Sequence, residues 1–333
     1  MLDSIDRWLS RCRDPANDPT EGMREAGLLE PAPDYATVAR VEAALVERTG
    51  LLGIASVWSG RQLVYRHFLS FGTDTQRVEW SGRALSVAIS EPKVGAHPKL
   101  LTTRADLVEG GFRISGRKAW VSNGPAADAI IVFAITAEEA GRKRYSAFIV
   151  PRETAGLTTT AMSGFHALRP SQHCLLTLDS CFVPESAMLG QLGLAYECMA
   201  LPFRDIEDAV GTHATLGALR HALRLFARSE GPGQATALGA IVALAAVFAT
   251  GAEAVVRALD QKSLGPGDAT LVGLRLLATD MTTRLRVLAK SLSSGKNLAT
   301  LLSAIADLEA TLSIAAGPRL ARQTRLGEML IHG

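Results

Sequence analysis

Three side chains near the middle of the chain could hold a planar ligand. Ser90, Trp120 and Ser122 combine a flat aromatic ring with two hydroxyl groups. An indole can stack on one face of a planar heteroaromatic cofactor, and hydroxyl groups can form hydrogen bonds at its edge. A generic hairpin with a core tryptophan is the alternative explanation. The three residues together predict a cofactor site, provided that the fold brings them side by side.

Strand ends and turns are the elements that would bring them together. The apolar run Ala84–Ser90 is followed by Glu91-Pro92, and proline cannot donate to a β-ladder, so a strand is expected to end there. Leu100–Val108 and Phe112–Trp120 flank a turn with two glycines, which predicts a hairpin. Asn123-Gly124-Pro125 predicts a second turn, directly after Ser122.

Two separated motifs carry a family resemblance. S-E-P-x-x-G runs from Ser90 to Gly95, and G-x-K-x-W-[VIT]-[ST]-N-G runs from Gly116 to Gly124, before Ala127-Asp128. In this order and spacing they resemble the flavin-binding middle domain of the acyl-CoA dehydrogenases. The F-G-T-x-x-Q-R-x-x-W pattern that begins at Phe71 resembles the segment before that domain.

The resemblance implies an α+β fold in three parts. These are an N-terminal helical domain over residues 1–82, a middle antiparallel β-barrel or sandwich over 83–190, and a C-terminal helical bundle over 191–333. The pattern of apolar residues agrees, since Val38, Val41 and Leu45 recur at helical spacing and strand-length apolar runs follow later. Ala237–Ala249 is apolar throughout but shorter than the roughly 18 residues of a membrane span. We therefore expect no membrane span, and a helix that is buried in the bundle or faces an oligomer interface.

The resemblance also implies a cofactor and a reaction. The cofactor would be FAD, and the reaction would remove hydrogens from the α and β carbons of an acyl thioester such as an acyl-CoA. Trp120 would be the stacking wall, and the hydroxyl groups of Ser90 and Ser122 would bind the flavin ring, with backbone groups of Ile89 and Val121 beside them. A homodimer or homotetramer is implied as well.

The segment expected to bind substrate departs from the family pattern. Gly95, Ala96 and His97 stand where the family usually has glycine, serine and aspartate. That serine commonly contacts the coenzyme A pyrophosphate, which Ala96 cannot do, although His97 could supply positive charge. The arginine-phenylalanine-glycine motif that contacts FAD phosphates from a neighbouring subunit is missing from the sequence.

The catalytic base has more than one candidate. Most family members place a glutamate near the C-terminus, where this chain has His332. A minority carry the base on a helix of the bundle, and the resemblance then gives Glu207. The adjacent Asp208 should raise the pKa of Glu207. The alternative is that Arg204, Asp205, Glu207 and Asp208 only form a charged first turn of a helix, which the helix dipole favours.

Composition excludes several classes of protein. A net charge of +2 and the lack of a Lys/Arg run argue against nucleic-acid binding. The four cysteines show no metal-binding spacing, so no metal site is expected. Few, scattered thiols and no recognisable signal peptide favour the cytoplasm.

Three functions are compatible with these observations. The first is an FAD-dependent oxidoreductase of the acyl-CoA dehydrogenase type. The second is a flavin-dependent monooxygenase or oxidase with the same fold, which needs no matching base. The third is a non-catalytic family member that serves as a binding or assembly partner.

Overall fold

Helices, then strands, then helices again follow one another along the chain. The structure is a computed structural model that describes residues 1–12, 14–17, 19–162, 165, 167–228, 234–292 and 297–332. The first helices are α1 (Leu2–Arg11), α2 (Pro19–Glu25), α3 (Tyr35–Thr49), α4 (Leu52–Leu63) and α5 (Asp74–Trp80). The last are α6 (Leu201–Ala227), α7 (Ala235–Asp260), α8 (Ala269–Ser291), α9 (Leu298–Ser313) and α10 (Ala316–His332). The predicted helical, β, helical order is confirmed.

A single mixed sheet lies between the two helical parts. Its strands are β1 (Leu85–Ala88), β2 (Arg104–Val108), β3 (Gly111–Ser122), β4 (Ala129–Glu139), β5 (Arg142–Pro151), β6 (Leu157–Ala161), β7 (His173–Pro184) and β8 (Met188–Leu189). The strand order is β6-β7-β3-β2-β4-β5-β8, with β1 added beside β4. β1 and β2 both run parallel to β4, so the sheet is mixed and not wholly antiparallel. The predicted hairpin is the antiparallel pair of β2 and β3.

Alternating residues of the central strand β4 build two hydrophobic cores. Ile131 and Phe133 belong to the large core shared with the helices, whereas Ile130 and Val132 belong to a second core on the other face of the sheet. Successive side chains of a strand point to opposite faces, which is why one apolar strand can serve both cores. Through the large core, one face of the sheet packs against both helical parts, whereas the second core is built within the β domain.

Helix α3 has the ends and the buried face that its sequence predicts. Asp34 caps it by accepting a hydrogen bond from the backbone N–H of Thr37 at 2.6 Å. Val38, Val41 and Leu45 are all buried, as their helical spacing predicts. Gly50 ends the helix with φ of 74°, a conformation that favours glycine.

Helix α7 differs from the expectation of a fully buried helix. It extends over 26 residues, and only 22% of its most apolar 18-residue window is buried inside the protein. The expectation that it lies in the middle of the bundle is therefore wrong. By length and composition alone, α7 is long and apolar enough to cross a membrane. The same holds for α9 and α10 if the two helices, bent by 62°, are taken together as one broken span. The prediction of no membrane span stays a prediction.

A buried ion pair joins the two sequence motifs. The ammonium group of Lys118 is fully buried and donates to Glu91 Oε1 and to the backbone oxygen of Ile89, both at 3.1 Å. Glu91, 4% exposed, also accepts hydrogen bonds from the backbone N–H groups of Thr102 and Thr103 and from the Thr102 hydroxyl. The end of β1 is thereby held against β3, close to Ser90 and Trp120.

The charges of this pair are balanced against burial. Burial by itself would raise the pKa of Glu91, but the positive charge of Lys118 and the hydrogen bonds from Thr103 and Thr102 lower it to about 2. Burial lowers the pKa of Lys118 to about 8, against the attraction of Glu91. The four hydrogen bonds to the Glu91 carboxylate favour the ionised pair.

We expect Lys118→Met to destabilise the protein by about 3–5 kcal/mol, because it leaves a buried carboxylate without its counter-charge. Since the folded pKa of Glu91 lies below its ordinary value, the pair contributes stability above about pH 4.5 that is lost as the pH falls through about 2. The variant lacks this contribution, and acid neutralises its unpaired Glu91, so its loss of stability relative to the wild type should be largest near neutral pH and should shrink as the pH falls. Urea and acid titrations followed by circular dichroism measure both effects.

Lys143→Met is the matched control. Lys143 donates to the backbone oxygens of Lys99 and Leu101 at 2.9 and 2.8 Å and has no carboxylate partner among the described residues. Its loss should cost about 1 kcal/mol and leave the acid transition unchanged. Equal effects of the two substitutions would contradict a special role for the buried pair.

Candidate active site

A cavity of about 570 Å³ lies where α4, β1, the end of β3 and α6 meet. Five of the sequence-predicted site residues line it: Ile89, Ser90, Trp120, Ser122 and Glu207. The motif residues and Glu207 are far apart in the sequence and lie on different elements. The fold therefore gathers the predicted cofactor-binding side chains and the predicted base at one cavity.

Trp120 has an unusual backbone conformation at the edge of this cavity. Its φ is 60°, which is rare for a bulky residue, and the β3–β7 register shifts between Lys118 and Val121. The bulge lets the indole, 48% exposed, face the cavity and not the core. Phe165 packs edge-on against it with ring centroids 5.2 Å apart. Backbone strain of this kind is characteristic of functional sites.

The two predicted serines differ in how they are held. The Ser122 hydroxyl forms a hydrogen bond of 3.1 Å with His173 Nδ1, and its backbone oxygen accepts from the Ser86 hydroxyl. The Ser90 backbone oxygen accepts from Ala119 N–H at 2.9 Å, whereas its hydroxyl has no partner among the described residues. The Ser90 hydroxyl is therefore available to a ligand.

The remaining predicted binding residues lie outside the cavity wall. Val121 is buried and paired with Cys174 in the β3–β7 ladder. Gly95, Ala96 and His97 lie in the loop between β1 and β2, where the Tyr196 hydroxyl donates to the backbone oxygen of Ala96 at 2.7 Å. The roles assigned to these four residues stay predictions.

Glu207 is not part of a charged first turn, as the alternative explanation requires. Helix α6 begins at Leu201 and has no acidic residue in its first turn, so the explanation by the helix dipole does not apply. Asp205 and Asp208 point instead to α10: Arg322 contacts both carboxylates and Arg319 donates to Asp208 at 2.7 Å.

The two neighbouring aspartates are thus engaged, and Glu207 faces the cavity. No hydrogen bond or ion pair holds its carboxylate among the described residues. His332, the alternative base, is the last residue of α10, is exposed, and is not among the residues that line the cavity.

The environment of Glu207 raises its pKa to about 7. Loss of bulk solvent around the carboxyl group is the main cause, and the negative charge of Asp208 adds to it, as the sequence predicts. Arg319 and Arg204 oppose the shift. The side chain is nevertheless exposed at the cavity surface, so water in the cavity opposes part of this shift. A carboxyl group with this pKa can exchange protons near neutral pH.

Sequence reasoning missed two charged residues of the cavity wall. Glu42 of α3 is 4% exposed, and Arg61 of α4 is half-buried and has no ion pair among the described residues. A signal for Glu42 was available, because it lies four residues after Val38 and three before Leu45, which is the spacing of the apolar face of α3. Arg61 gave no such signal.

The cavity lies where the β domain meets the two helical parts. Residues 86–181 match the family model "Acyl-CoA dehydrogenase, middle domain". Those residues belong to the acyl-CoA dehydrogenase family, and the whole chain has that family's fold. The resemblance of the two motifs is thereby confirmed.

Individual proteins agree with this assignment. The chain is 36% identical to mitochondrial isovaleryl-CoA dehydrogenase of Solanum tuberosum over 128 residues, which are 37% of this chain and 31% of that protein. The match thus spans about a third of the length of this curated relative. The crystal structure of butyryl-CoA dehydrogenase from Megasphaera elsdenii has a TM-score of 0.85 at 18% identity, covering 99% of this chain and 97% of that one. A glutaryl-CoA dehydrogenase from Mycobacterium smegmatis in complex with FADH2 has a TM-score of 0.77 at 21% identity, covering 94% and 89%.

Proposed function

We propose that the chain is an FAD-dependent oxidoreductase that introduces an α,β double bond into an acyl thioester, with Glu207 as the base. The observation that carries the proposal is the meeting of Trp120, Ser90 and Glu207 at one cavity. The relatives support the class of substrate, since those named above are dehydrogenases of acyl-CoA thioesters.

The cavity residues fit a flavin ring. Trp120 offers half of its indole surface, and the free hydroxyl of Ser90 can donate and accept hydrogen bonds at the edge of the ring. The Ser122 hydroxyl, positioned by His173, is a further polar contact. When bound, FAD supplies the acceptor for the hydrogen that leaves the β carbon as hydride.

Glu207 would take the proton from the α carbon. Its carboxylate is unpaired, faces the cavity, and has a pKa of about 7, so it is a stronger base than an ordinary glutamate and is still partly ionised at neutral pH. The ion pairs of Asp205 and Asp208 with α10 keep those two carboxylates out of the cavity. Of these three acidic residues of α6, Glu207 is then the one free to act at the cavity.

We expect the purified protein to carry FAD, visible in its absorption spectrum, and Trp120→Ala to lose it on gel filtration. Removing the indole removes the stacking surface, whose contribution is about 1 kcal/mol beyond its buried area. Phe182→Ala is the control, since Phe182 is an exposed aromatic residue of the same sheet outside the cavity. A colourless wild-type protein would favour the non-catalytic alternative, and flavin content that Trp120→Ala leaves unchanged would exclude Trp120 from the site.

We expect the rate at which butyryl-CoA or isovaleryl-CoA bleaches the flavin without oxygen to rise with pH through about 7. The base must lose its proton before it can act. Asp208→Asn should move this transition to lower pH, because it removes a negative charge beside Glu207 and frees Arg319. Asp205→Asn is the matched control, since Asp205 also pairs with α10 but is not a cause of the Glu207 shift.

Glu207→Gln should retain FAD and lose bleaching by about a hundredfold or more, the usual contribution of a general base. Bleaching at the wild-type rate would remove Glu207 from the mechanism. Flavin that is reduced only by an external reductase would favour the oxygen-using alternative.

We also propose that a second copy of the chain covers the apolar face of α7. Val242 and Val247 of α7 are 53% and 64% exposed, and Leu276 and Val287 of the adjacent α8 are 51% and 62% exposed. Contact between copies would remove this surface from water. Light scattering should detect a dimer or tetramer that Val247→Glu weakens, and a monomer at high concentration would contradict the proposal.

A cytoplasmic location is proposed from the thiols. Cys12, Cys174, Cys181 and Cys198 are all free in the structure. Burial raises the pKa of Cys174 to about 11, which keeps that thiol unreactive. Fractionation of the source cells would test the location.

A further inference from the structure

Ser122, one of the proposed flavin contacts, is bonded to a residue to which the proposed reaction gives no task. His173 is the first residue of β7 and stands directly opposite Ser122 in the β3–β7 ladder. Residues opposite each other in an antiparallel pair have side chains close enough to interact. Here the Ser122 hydroxyl lies 3.1 Å from His173 Nδ1. His173 does not itself line the cavity, so it can affect a ligand there only through Ser122.

The strand pattern directs both side chains to the cavity side of the sheet. Val121 and Cys174, the sequence neighbours of Ser122 and His173, belong to the second core. Successive side chains of a strand point to opposite faces, so Ser122 and His173 point to the other face, where the helices and the cavity lie. Ser122 is not among the buried residues and lines the cavity. Its hydroxyl group can therefore meet a ligand as well as His173.

The His173 ring has a single polar partner. Phe165 and Trp120 lie edge-on to it, with ring centroids 5.0 and 6.4 Å away. Its second nitrogen, Nε2, is buried and has no hydrogen-bond partner in the described part of the chain. Burial also lowers the pKa of His173, so the ring is neutral near neutral pH and carries one proton. That proton is on either Nδ1 or Nε2.

The two positions of the proton have opposite consequences for Ser122. With the proton on Nδ1, the ring donates to the serine oxygen, and the proton of the serine is left for a ligand. With the proton on Nε2, Nδ1 accepts the serine proton, and a buried N–H group is left without an acceptor. Among backbone groups, a buried N–H without an acceptor is rarer than a buried acceptor without a donor, and the same desolvation argument applies to a ring nitrogen.

We propose that His173 is a positioning residue that makes Ser122 a hydrogen-bond donor to the flavin. The inference rests on the proposed function. An acceptor atom at the edge of the bound ring is then the partner of the serine O–H group, and His173 fixes the direction of that group. A hydroxyl group that accepts one hydrogen bond donates a stronger one, because hydrogen bonds in a chain polarise one another.

Nuclear magnetic resonance can locate the proton whether or not the purified protein carries flavin. The ring nitrogens of isotope-labelled histidines give different signals when protonated and when bare, and His173→Phe identifies the His173 signals by their loss. We expect the proton on Nδ1 at neutral pH. A proton on Nε2 alone overturns the inference.

The affinity for FAD, measured by equilibrium dialysis of the full chain, gives a second test. His173→Phe keeps an aromatic ring beside Trp120 and Phe165 and removes the donor. We expect FAD to bind roughly threefold to tenfold more weakly, the contribution of one hydrogen bond. If Ser122 instead gave its proton to His173, the same substitution would release that proton. Unchanged or tighter binding therefore also overturns the inference.

Ser122→Ala shows whether His173 acts through the serine. Once Ser122 is alanine, His173→Phe should no longer change the affinity for FAD, because the hydroxyl group that it positions is gone. An effect of equal size in both backgrounds is that of a merely structural residue and contradicts the proposal. His173→Asn should restore part of the affinity, since its amide N–H can donate to Ser122.

His221→Phe is the matched control. The His221 ring is also partly buried, and its Nδ1 lies 3.0 Å from the backbone oxygen of Glu47, but it does not line the cavity. Its substitution should leave the affinity for FAD unchanged. Circular dichroism checks that each variant folds, and His173→Asn identifies the resonance signals if His173→Phe does not fold. Wild-type protein that binds no FAD contradicts the proposed function, whereas the position of the proton still decides how Ser122 and His173 are bonded.

Discussion

The buried pair of Glu91 and Lys118 is the interaction on which the site depends. Burying the pair removes two charges from water, which is unfavourable. Four hydrogen bonds to the Glu91 carboxylate compensate for the lost hydration. The pair connects the first strand of the sheet with the strand that carries Trp120. The two motifs are therefore one structural unit, whose glutamate and lysine hold the backbone while the neighbouring serine and tryptophan remain free for a ligand.

A strained backbone at Trp120 and an unpaired carboxylate at Glu207 both border the cavity beside this unit. Trp120 adopts an unfavourable backbone conformation, which the β3–β7 pairing on either side of it maintains. Across the cavity, Glu207 is held without a counter-charge while its two acidic neighbours are neutralised by α10. Both arrangements are unfavourable locally and persist because the rest of the fold imposes them. Such departures are expected at sites that bind and react.

The sequence was informative wherever local rules decide the structure. The cap at Asp34, the hairpin of β2 and β3, and the turn after Ser122 all follow from residue types within a few positions. The order of helical and β parts followed from the same signals together with the family resemblance. Glu207 was also found from the sequence, although its helix begins earlier than expected.

What the sequence could not give depends on contacts between distant segments. Arg319 lies 111 residues along the chain from Asp208, and Arg322 lies 117 residues from Asp205, yet each arginine neutralises its aspartate. No local pattern connects them. The exposure of α7 depends on which helices pack around it. A helix buried in its own bundle and a helix covered by another chain can have the same apolar composition, so composition does not distinguish them. The helical spacing of α3 places Glu42 on the buried face, but the cavity that it lines is formed by distant elements and could not be read from that spacing.

Helix α10 has one further consequence for the chemistry. None of its residues lines the cavity, yet two of its guanidinium groups cancel the charges on either side of Glu207. Cleavage before Ala316 would leave Asp205 and Asp208 uncompensated and would make Glu207 hold its proton more tightly. Helix α10 thus sets, without lining the cavity, the proton affinity of the carboxyl group that faces it.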